Sequence, residues 1–389
     1  MKSHHLAAVN LMLVASLAFA QAPVPGVTRT EVKVGAFLGL SGDFALASRD
    51  VQLATDAYFA RVNATGGVHG RKLVFVAIDD GYVPARSAAA ARRLVDQENV
   101  FVLVNPIGTP NTLAALPYLQ EKGVPMIGVH GYSPKLYSPA QKGVYGNWTP
   151  FAGQMRIMSN YFYKQGAVKQ LGMIYLNNEA GLSGLVGAEE AAKAKGQTLV
   201  SAAVPVGAPD YRSTIINLRD KGVTHLLMVL GPQDTAKAVT QAREAGWNPQ
   251  FGGHQATPDP LTIQLGGKAI EGVFGVATSA LPDMDPAQWP GVKDYRDTLV
   301  KFAPAAKPSA FGIRAYADAI IFVEALKRAG PNPTRENLVA ALEAMKDFAT
   351  GIYPPVTYGP DRHDGNNGAV IVRAQNGQWL PVSEWEMTK

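Results

Sequence analysis

The sequence of 389 residues contains no cysteine. This absence excludes disulfides, thiolate metal sites, lipid-modified cysteines and cysteine nucleophiles. Charged residues make up only 17% of the chain, and no block of lysine and arginine with interleaved aromatic residues occurs. We therefore expect no nucleic-acid partner. Beyond the amino terminus no apolar run is long enough to cross a membrane as a helix. A chain of this length can instead bury two sizeable cores.

The first twenty residues have the pattern of a secretory signal peptide. Lys2 gives a positive start, residues 11–19 are mostly apolar, and Ala18-Phe19-Ala20 matches the small-x-small cleavage pattern. We predict that residues 1–20 are a signal peptide, that cleavage follows Ala20, and that the mature chain begins at Gln21. The alternative is that this segment is retained as a membrane anchor.

Strand and helix patterns alternate along most of the chain from residue 31 onwards. This alternation predicts an α/β protein with parallel sheets covered on both faces. The character changes near residues 145–150, where a second alternating series starts, so two lobes are expected. Further helices are predicted at 292–302, 310–329 and 335–345, and returning strands at 347–358 and 369–373. The Asn376-Gly377 pair predicts a hairpin turn near the carboxyl terminus.

The stretch from residue 101 to residue 132 reads as strand, loop, helix and strand. Strands are predicted at 101–104 and 124–129. Thr109 stands where a helix N-cap belongs, Pro110 follows at the first helical position, and Gly123 lies just past the helix end. A hydroxyl beside unpaired N–H groups at a helix amino terminus can bind a carboxylate. The alternative is that Thr109 only caps its own helix.

In open α/β sheets a ligand binds outside the carboxyl ends of the strands. Two such lobes facing each other would form a cleft. The loops that follow the predicted strands are then the expected site, namely residues 41–44, 108–110, 129–132, 177–181, 231–233 and 253–255.

The motifs that mark common enzymes are missing from the sequence. It contains no nucleophile elbow, phosphate loop, H-E-x-x-H motif or calcium loop. His130 and His254 follow strands and could together bind a metal, but no third ligand is placed by the sequence. We expect each to bind a neighbour or the ligand through a hydrogen bond. The sequence therefore predicts no catalytic residues, no metal and no cofactor.

Four segments resemble one known family. They are VKVGAFLGLSGD at 32–43, NATGGVHGRKL at 63–73, IDDG at 78–81 and FGIRAYADAI from Phe311. They are similar to the leucine/isoleucine/valine-binding proteins of bacterial branched-chain amino-acid ABC transporters, over nearly the whole chain from about residue 28. The resemblance implies a protein of the periplasm that closes on a small carboxylate ligand and docks on a membrane ABC permease. We also expect the protein to be a monomer.

The family also implies a type I periplasmic-binding fold. Two Rossmann-like lobes with parallel sheets are joined by a three-crossover hinge. We predict an amino-terminal lobe of residues 28–147 plus 275–350 and a carboxyl-terminal lobe of residues 148–274 plus 351–389. Ligand contacts on both lobes would exist together only in the closed form, so binding would shift the equilibrium towards closure.

The resemblance assigns ligand-binding roles to particular positions. Thr109 occupies the place of a hydroxyl that holds the ligand carboxylate, and backbone atoms at His130 and Tyr132 are expected to hold both ligand ends. The family tyrosine after the first strand is replaced by Ala47, and Phe44 is the candidate substitute. The full set of predicted ligand-binding residues is Phe44, Gly108, Thr109, Pro110, His130, Tyr132, Ala180, Gly231 and Gln255.

Gln255 is the main departure from the family pattern. Amino-acid binders of this family place an acid at this position to pair with the ligand ammonium, and a neutral amide cannot supply that charge. We infer a carboxylate ligand that need not be an α-amino acid, such as a short aliphatic or aromatic acid. The alternative is that Glu179 or Asp234 supplies the missing charge.

Two other functions remain open from the sequence. A periplasmic ligand sensor that docks on a receptor kinase would share the same fold and clamp. A secreted α/β hydrolase is the second alternative, and the missing nucleophile and metal motifs argue against it.

Overall fold

The computed structural model describes residues 24–42, 44–147 and 149–387. The predicted signal peptide and its cleavage site therefore lie outside the described residues. The first sheet contains five parallel strands in the spatial order β2-β1-β3-β4-β5. Their bounds are β1 Glu31–Leu38, β2 Lys72–Asp79, β3 Val102–Val104, β4 Met126–Ile127 and β5 Val144–Tyr145.

The second sheet has the order β12-β11-β10-β9-β8-β6-β7, with β13 paired to β11. Strands β6 to β10 run parallel, whereas β11 is antiparallel to β10, β12 and β13. The bounds are β6 Leu171–Leu176, β7 Val200–Val204, β8 His225–Val229, β9 Gln250–Gly253, β10 Phe274–Ala277, β11 Gly368–Gln375, β12 Gln378–Pro381 and β13 Glu386–Met387. Asn376 and Gly377 both have positive φ between β11 and β12, which confirms the predicted hairpin turn.

Helices connect the strands and cover the sheets. Around the first sheet lie α1 Ala45–Ala64, α2 Pro84–Asp96, α3 Thr109–Glu121 and α4 Pro134–Tyr137. The second sheet carries α5 Phe151–Gln165, α6 Glu179–Ala194, α7 Arg212–Asp220, α8 Pro232–Glu244 and α9 Pro260–Gly266, followed by a 3-10 turn at Gly267–Ile270. The last helices are α10 Pro290–Phe302, α11 Ala310–Arg328 and α12 Arg335–Glu343.

The chain passes between the two sheets three times. It leaves the first sheet after β5 and enters the second lobe at α5, then returns after β10 to α10, α11 and α12. Helices α10 and α11 pack on α1, and α11 also contacts β3, so this segment belongs with the first sheet. The chain crosses again to reach β11. This topology confirms the predicted α/β class with two lobes joined by three crossovers, while the exact lobe boundaries stay a prediction. The proposed boundary at residues 274 and 275 lies within β10.

Three local predictions were wrong. The strand predicted at 124–129 is only two residues long, because Pro125 lacks an N–H and Gly128 turns the chain with a φ of +67°. Residues 347–358 do not form a strand, although Phe348 and Val356 make one isolated antiparallel bridge. Two consecutive prolines at 354 and 355 cannot donate to a sheet. Helix α3 begins at Thr109, so Gly108 and not Thr109 is the N-cap.

The turn after β4 brings α11 close to the ends of the first-sheet strands. A Cβ placed on Gly128 would lie only 2.4 Å from the Cβ of Asp318, so this approach requires glycine. Asn105, directly after β3, adopts a φ of +61° and donates from Nδ2 to Thr55 Oγ1 at 2.8 Å and to the Ala315 carbonyl at 3.0 Å. These contacts tie α1 and α11 to the edge where the predicted loops meet.

Candidate functional site

Eight of the nine predicted ligand-binding residues line one cavity between the lobes. They are Phe44, Gly108, Thr109, His130, Tyr132, Ala180, Gly231 and Gln255. Pro110, at the second position of α3, does not line it. The residues meet because the carboxyl ends of parallel strands share one edge of each sheet, and the two edges face each other. Whether these residues bind a ligand stays a prediction.

The hydroxyl of Thr109 is held in place by the neighbouring loop. Its Oγ1 accepts a hydrogen bond from the backbone N–H of Tyr132 at 2.9 Å, and the N–H of Gly108 donates to the His130 carbonyl at 3.1 Å. Thr109 is the first residue of α3 and its Oγ1 bonds to the Tyr132 N–H, so it is not the N-cap of its own helix. Because Oγ1 acts here as an acceptor, the hydroxyl proton is left to donate to a group in the cavity.

Gly108 makes the sharp entry into α3 possible. Its φ is +103°, and a Cβ on it would lie 2.4 Å from Asn111 Oδ1. The Asn111 amide in turn donates to Asp80 Oδ2 at 3.1 Å and to Ser87 Oγ at 2.7 Å. Asp80 also accepts from the Tyr82 N–H at 2.8 Å. These contacts of Asp80 rigidify the turn that presents Thr109.

His130 lies on the first-lobe wall and is neutral at pH 7. Burial, followed by the positive charge of Arg314, lowers its pKa well below the ordinary value. Its Nε2 lies 3.4 Å from Asn105 Oδ1 and 3.6 Å from Asp318 Oδ2. Burial raises the pKa of Asp318 to about 7. His130 therefore joins the cavity to a buried polar network at the hinge.

His254 lies on the opposite wall, directly after β9. Burial and Arg314 lower its pKa to about 3, so this ring is also neutral. Its Nδ1 is buried without a hydrogen-bond partner among the described residues, and the ring lies 5.1 Å from the ring of Phe151. Within the described ranges, no group of three or more side chains is arranged to hold a metal ion.

Gln255 lines the cavity and is fixed through its backbone. Its N–H donates to Gln154 Oε1 at 2.9 Å, and its carbonyl accepts from the Arg314 guanidinium at 3.0 Å. The residue is only 2% exposed, and its Oε1 has no hydrogen-bond partner among the described residues. A buried amide oxygen without a partner can accept a hydrogen bond from a ligand.

The two acids that could have replaced the family acid contact other groups. Glu179 accepts from Ser133 Oγ at 3.0 Å and pairs with Lys135 Nζ at 3.0 Å. Asp234 accepts from the Gly207 N–H at 3.3 Å and lies 3.7 Å from Lys237 Nζ. Neither lines the cavity. In the part of the chain that the structure describes, the cavity wall contains no acidic side chain.

Aromatic rings form much of the remaining wall. Phe44 stacks on Tyr82 with ring centroids 3.9 Å apart, and Tyr132 meets Phe151 edge-on at 4.7 Å. Phe311 also lines the cavity. Tyr82, Phe151 and Phe311 were missed by the sequence reasoning. Tyr82 follows β2, so the strand-end rule could have found it, whereas Phe151 and Phe311 lie in the first turns of α5 and α11 and do not follow a predicted strand end.

A buried positive charge lies behind this wall. Arg314 on α11 is fully buried, and its guanidinium carbon lies 4.8 Å from the centre of the Phe311 ring. Burial lowers the pKa of Arg314, and nearby groups that include Asp259 and Asp318 oppose this shift. Burial raises the pKa values of both acids. After burial, the positive charge of Arg314 is the next cause that lowers the pKa of both cavity histidines.

The lobes are close together. The cavity measures about 40 Å³, far below the roughly 300 Å³ at which small-molecule pockets begin. A Cβ on Gly231 would lie 3.4 Å from Phe44 Cζ across the gap. The contacts of Glu179 with Ser133 and Lys135 also join the second lobe to the first. The walls must move apart to admit a ligand.

Comparison with known proteins agrees with this architecture. A family model described as periplasmic binding protein matches residues 31–378. The Leu/Ile/Val-binding protein homolog 8 of Brucella abortus (strain 2308) is 24% identical over 374 residues, which cover 90% of each chain. Among the described residues, no helix has both the length and the apolar character of a membrane span.

Two solved structures share the fold. The fatty acid ABC transporter substrate-binding protein from Thermomonospora curvata superposes with a TM-score of 0.84 at 22% identity, covering 94% of this chain and 95% of its own. A branched chain amino acid ABC transporter from Thermus thermophilus with bound valine gives a TM-score of 0.84 at 21% identity, covering 92% of this chain and 97% of its own. These likenesses confirm the predicted type I periplasmic-binding fold.

Proposed function

Since the chain belongs to the periplasmic binding protein family, we propose that it is the solute-binding component of an ABC importer. It binds a small carboxylate between its lobes and delivers it, as a monomer, to a membrane permease. Some relatives are named for leucine, isoleucine and valine binding, and one structural neighbour is named for fatty acids. Both amino acids and plain acids should therefore be tested as ligands.

No acidic side chain is found among the described residues that line the cavity, and this observation supports the proposed ligand class. A ligand ammonium enclosed there would be desolvated without a counter-charge, which costs several kcal/mol in a protein interior. Gln255 offers only a neutral oxygen. A plain aliphatic or aromatic carboxylate avoids this cost, and the rings of Phe44, Tyr132 and Phe151 suit an apolar body.

The carboxylate end is assigned to the first lobe. The Thr109 hydroxyl and the amino end of α3 offer donors to an anion. Gly108 provides the turn, and Pro110 helps to set the first helical turn without adding a backbone donor that would need a partner. His130 and Tyr132 complete this wall, and Ala180, Gly231 and Gln255 close on the ligand from the second lobe.

A thermal-shift screen of matched pairs tests the ligand class. Leucine is compared with 4-methylpentanoate, and phenylalanine with 3-phenylpropanoate, because the members of each pair differ only by the ammonium group. A ligand at one hundred times its dissociation constant stabilises the fold by about 2.7 kcal/mol. We expect the plain acid of at least one pair to stabilise the protein more than its amino acid. The opposite order in both pairs, or no shift with any acid, would overturn the proposed ligand class.

We also propose that the protein is exported, that residues 1–20 are removed during export, and that the protein acts in the periplasm. Intact-mass measurement and amino-terminal sequencing of protein released by osmotic shock test this point. We expect a chain that begins at Gln21. A full-length chain recovered only with membranes would support a retained anchor.

A further inference from the structure

A second cavity lies at the opposite edge of the second sheet from the interlobe cavity. It is lined by His225, Gln250 and Phe274, which are the first residues of β8, β9 and β10. These are the amino ends of the strands, whereas the interlobe cavity lies at their carboxyl ends. The volume of this amino-edge cavity is about 410 Å³, within the range of roughly 300 to 1,000 Å³ that small-molecule sites occupy.

An arginine of β11 supplies the charge of the amino-edge cavity. Arg373 lines it and is half-buried, and its guanidinium carbon lies 5.2 Å from the centre of the Phe274 ring. An arginine guanidinium stays protonated in proteins. Burial lowers the pKa of His225 below its ordinary value, so this ring is neutral at pH 7. No acidic side chain lines the cavity within the described ranges.

The guanidinium of Arg373 has no anionic partner in the part of the chain that the structure describes. Its Nε is buried without a hydrogen-bond partner. Its Nη1 and Nη2 also lack a partner among the described residues, but they are accessible from the cavity. A ligand would therefore contact the two Nη groups.

The neighbouring acid is already engaged elsewhere. Glu271 precedes Gly272, where a Cβ would lie 3.4 Å from Arg373 Nη2. The Glu271 carboxylate instead accepts from the N–H groups of Asn376 and Gly377, at 3.0 and 2.9 Å, in the turn between β11 and β12. The chain thus leaves the fork of Arg373 open to an anion from outside, and a carboxylate matches the spacing of that fork.

Aromatic rings form the wall beside this guanidinium. Phe274 meets Phe162 edge-on with ring centroids 5.8 Å apart, and the Tyr161 ring centroid lies 5.5 Å from that of Phe274. All three residues line the cavity, and Val382 extends the apolar wall. Such a wall suits a planar apolar body, since aromatic rings pack edge-to-face or offset against one another.

We propose that the amino-edge cavity is a binding site for an aromatic carboxylate. The carboxylate would accept two hydrogen bonds from Nη1 and Nη2 of Arg373, and its ring would pack against Phe274 and Tyr161. This site does not depend on the ligand of the interlobe cavity, because the two cavities lie at opposite edges of the second sheet.

Titration of the protein with benzoate, followed by NMR of ¹³C-labelled valine methyl groups, tests the site. Val382 lines the amino-edge cavity and Val229 lines the interlobe cavity, so their signals report on the two sites separately. Arg373→Gln removes the charge and the fork. Arg219→Gln is the matched control, because Arg219 is exposed on α7 and lines neither cavity. Thr109→Val tests whether the Val382 signal reports binding between the lobes instead.

We expect benzoate to shift the Val382 signal to saturation, and the affinity measured from this signal to fall roughly tenfold or more in Arg373→Gln. Arg219→Gln and Thr109→Val should leave that affinity unchanged. Absence of a saturable Val382 shift, equal affinity in Arg373→Gln, or loss of the shift in Thr109→Val would overturn the proposal.

Benzyl alcohol provides a test that does not depend on any variant folding. It keeps the aromatic ring of benzoate but lacks the charge and the second oxygen. We expect it to bind the wild-type protein at least roughly tenfold more weakly than benzoate, as measured at Val382. Equal affinity for the two compounds would refute the role of the Arg373 guanidinium.

Discussion

Replacing Thr109 by valine removes the hydroxyl while nearly keeping the volume of the side chain. In the structure, this hydroxyl accepts from the Tyr132 N–H at 2.9 Å, and both residues are buried. The substitution leaves that N–H without an acceptor, which costs about 1–3 kcal/mol of stability. It also removes the proposed donor to the ligand carboxylate. A hydrogen bond to a charged group contributes about 1.5–3 kcal/mol, which corresponds to a roughly ten- to hundredfold loss of affinity.

The same helix supplies a matched control. Thr112 is fully buried three residues further on, and its Oγ1 has no hydrogen-bond partner among the described residues. Thr112→Val should therefore leave both stability and binding nearly unchanged, and Thr109→Ser should retain most of the affinity because it keeps the hydroxyl.

Urea unfolding and calorimetric titration with the carboxylate that gives the largest thermal shift measure the two effects. A Thr109→Val variant that is as stable as Thr112→Val and binds that acid as tightly as the wild type would contradict both expectations.

Three further substitutions test other parts of the structure. Gln255→Glu places an acid at the cavity, so calorimetry should show the preference between leucine and 4-methylpentanoate moving at least roughly tenfold towards the amino acid; an unchanged ratio contradicts the assigned role. Glu179→Gln weakens an interlobe contact that contributes about 0.2–1 kcal/mol, so X-ray scattering should show a larger radius of gyration for this variant without ligand. Glu190→Gln breaks a pair inside the second lobe and should leave the radius of gyration unchanged. Equal radii for the two variants would show that the Glu179 contact does not hold the lobes closed. Burial raises the pKa of Asp318 to about 7, so between about pH 4 and pH 7 the folded state binds more protons than the unfolded state, and this group lowers the stability of the fold as the pH rises. In Asp318→Asn, the free energy of unfolding measured with urea should therefore fall less between pH 4 and pH 7. An unchanged dependence of that free energy on pH would contradict the raised pKa.

Much of the fold could be predicted from local patterns. The helices predicted at 292–302, 310–329 and 335–345 differ from α10, α11 and α12 by at most two residues at either end, because apolar spacing and helix-end residues act within a few positions. The predictions from local pattern were wrong where proline or glycine interrupts a strand. The segment at 347–358 contains apolar and β-branched residues, but its two prolines prevent a ladder of hydrogen bonds.

The cavity was predictable to the extent that it follows from topology. Loops after parallel strands must meet at one edge, so Phe44, Thr109, His130 and Gln255 could be placed together without knowing any distance. The missing acid at position 255 was also visible as a residue type, and it carried the expectation of a plain acid ligand.

The chemistry of those residues depended on segments far apart in the chain. The partner of the Thr109 hydroxyl is a backbone N–H 23 residues away, and Arg314 lies behind the cavity because α11 returns to the first lobe after the second crossover. A sequence encodes short-range periodicity directly, whereas burial, pKa shifts and hydrogen-bond partners arise only when distant segments exclude water from one another.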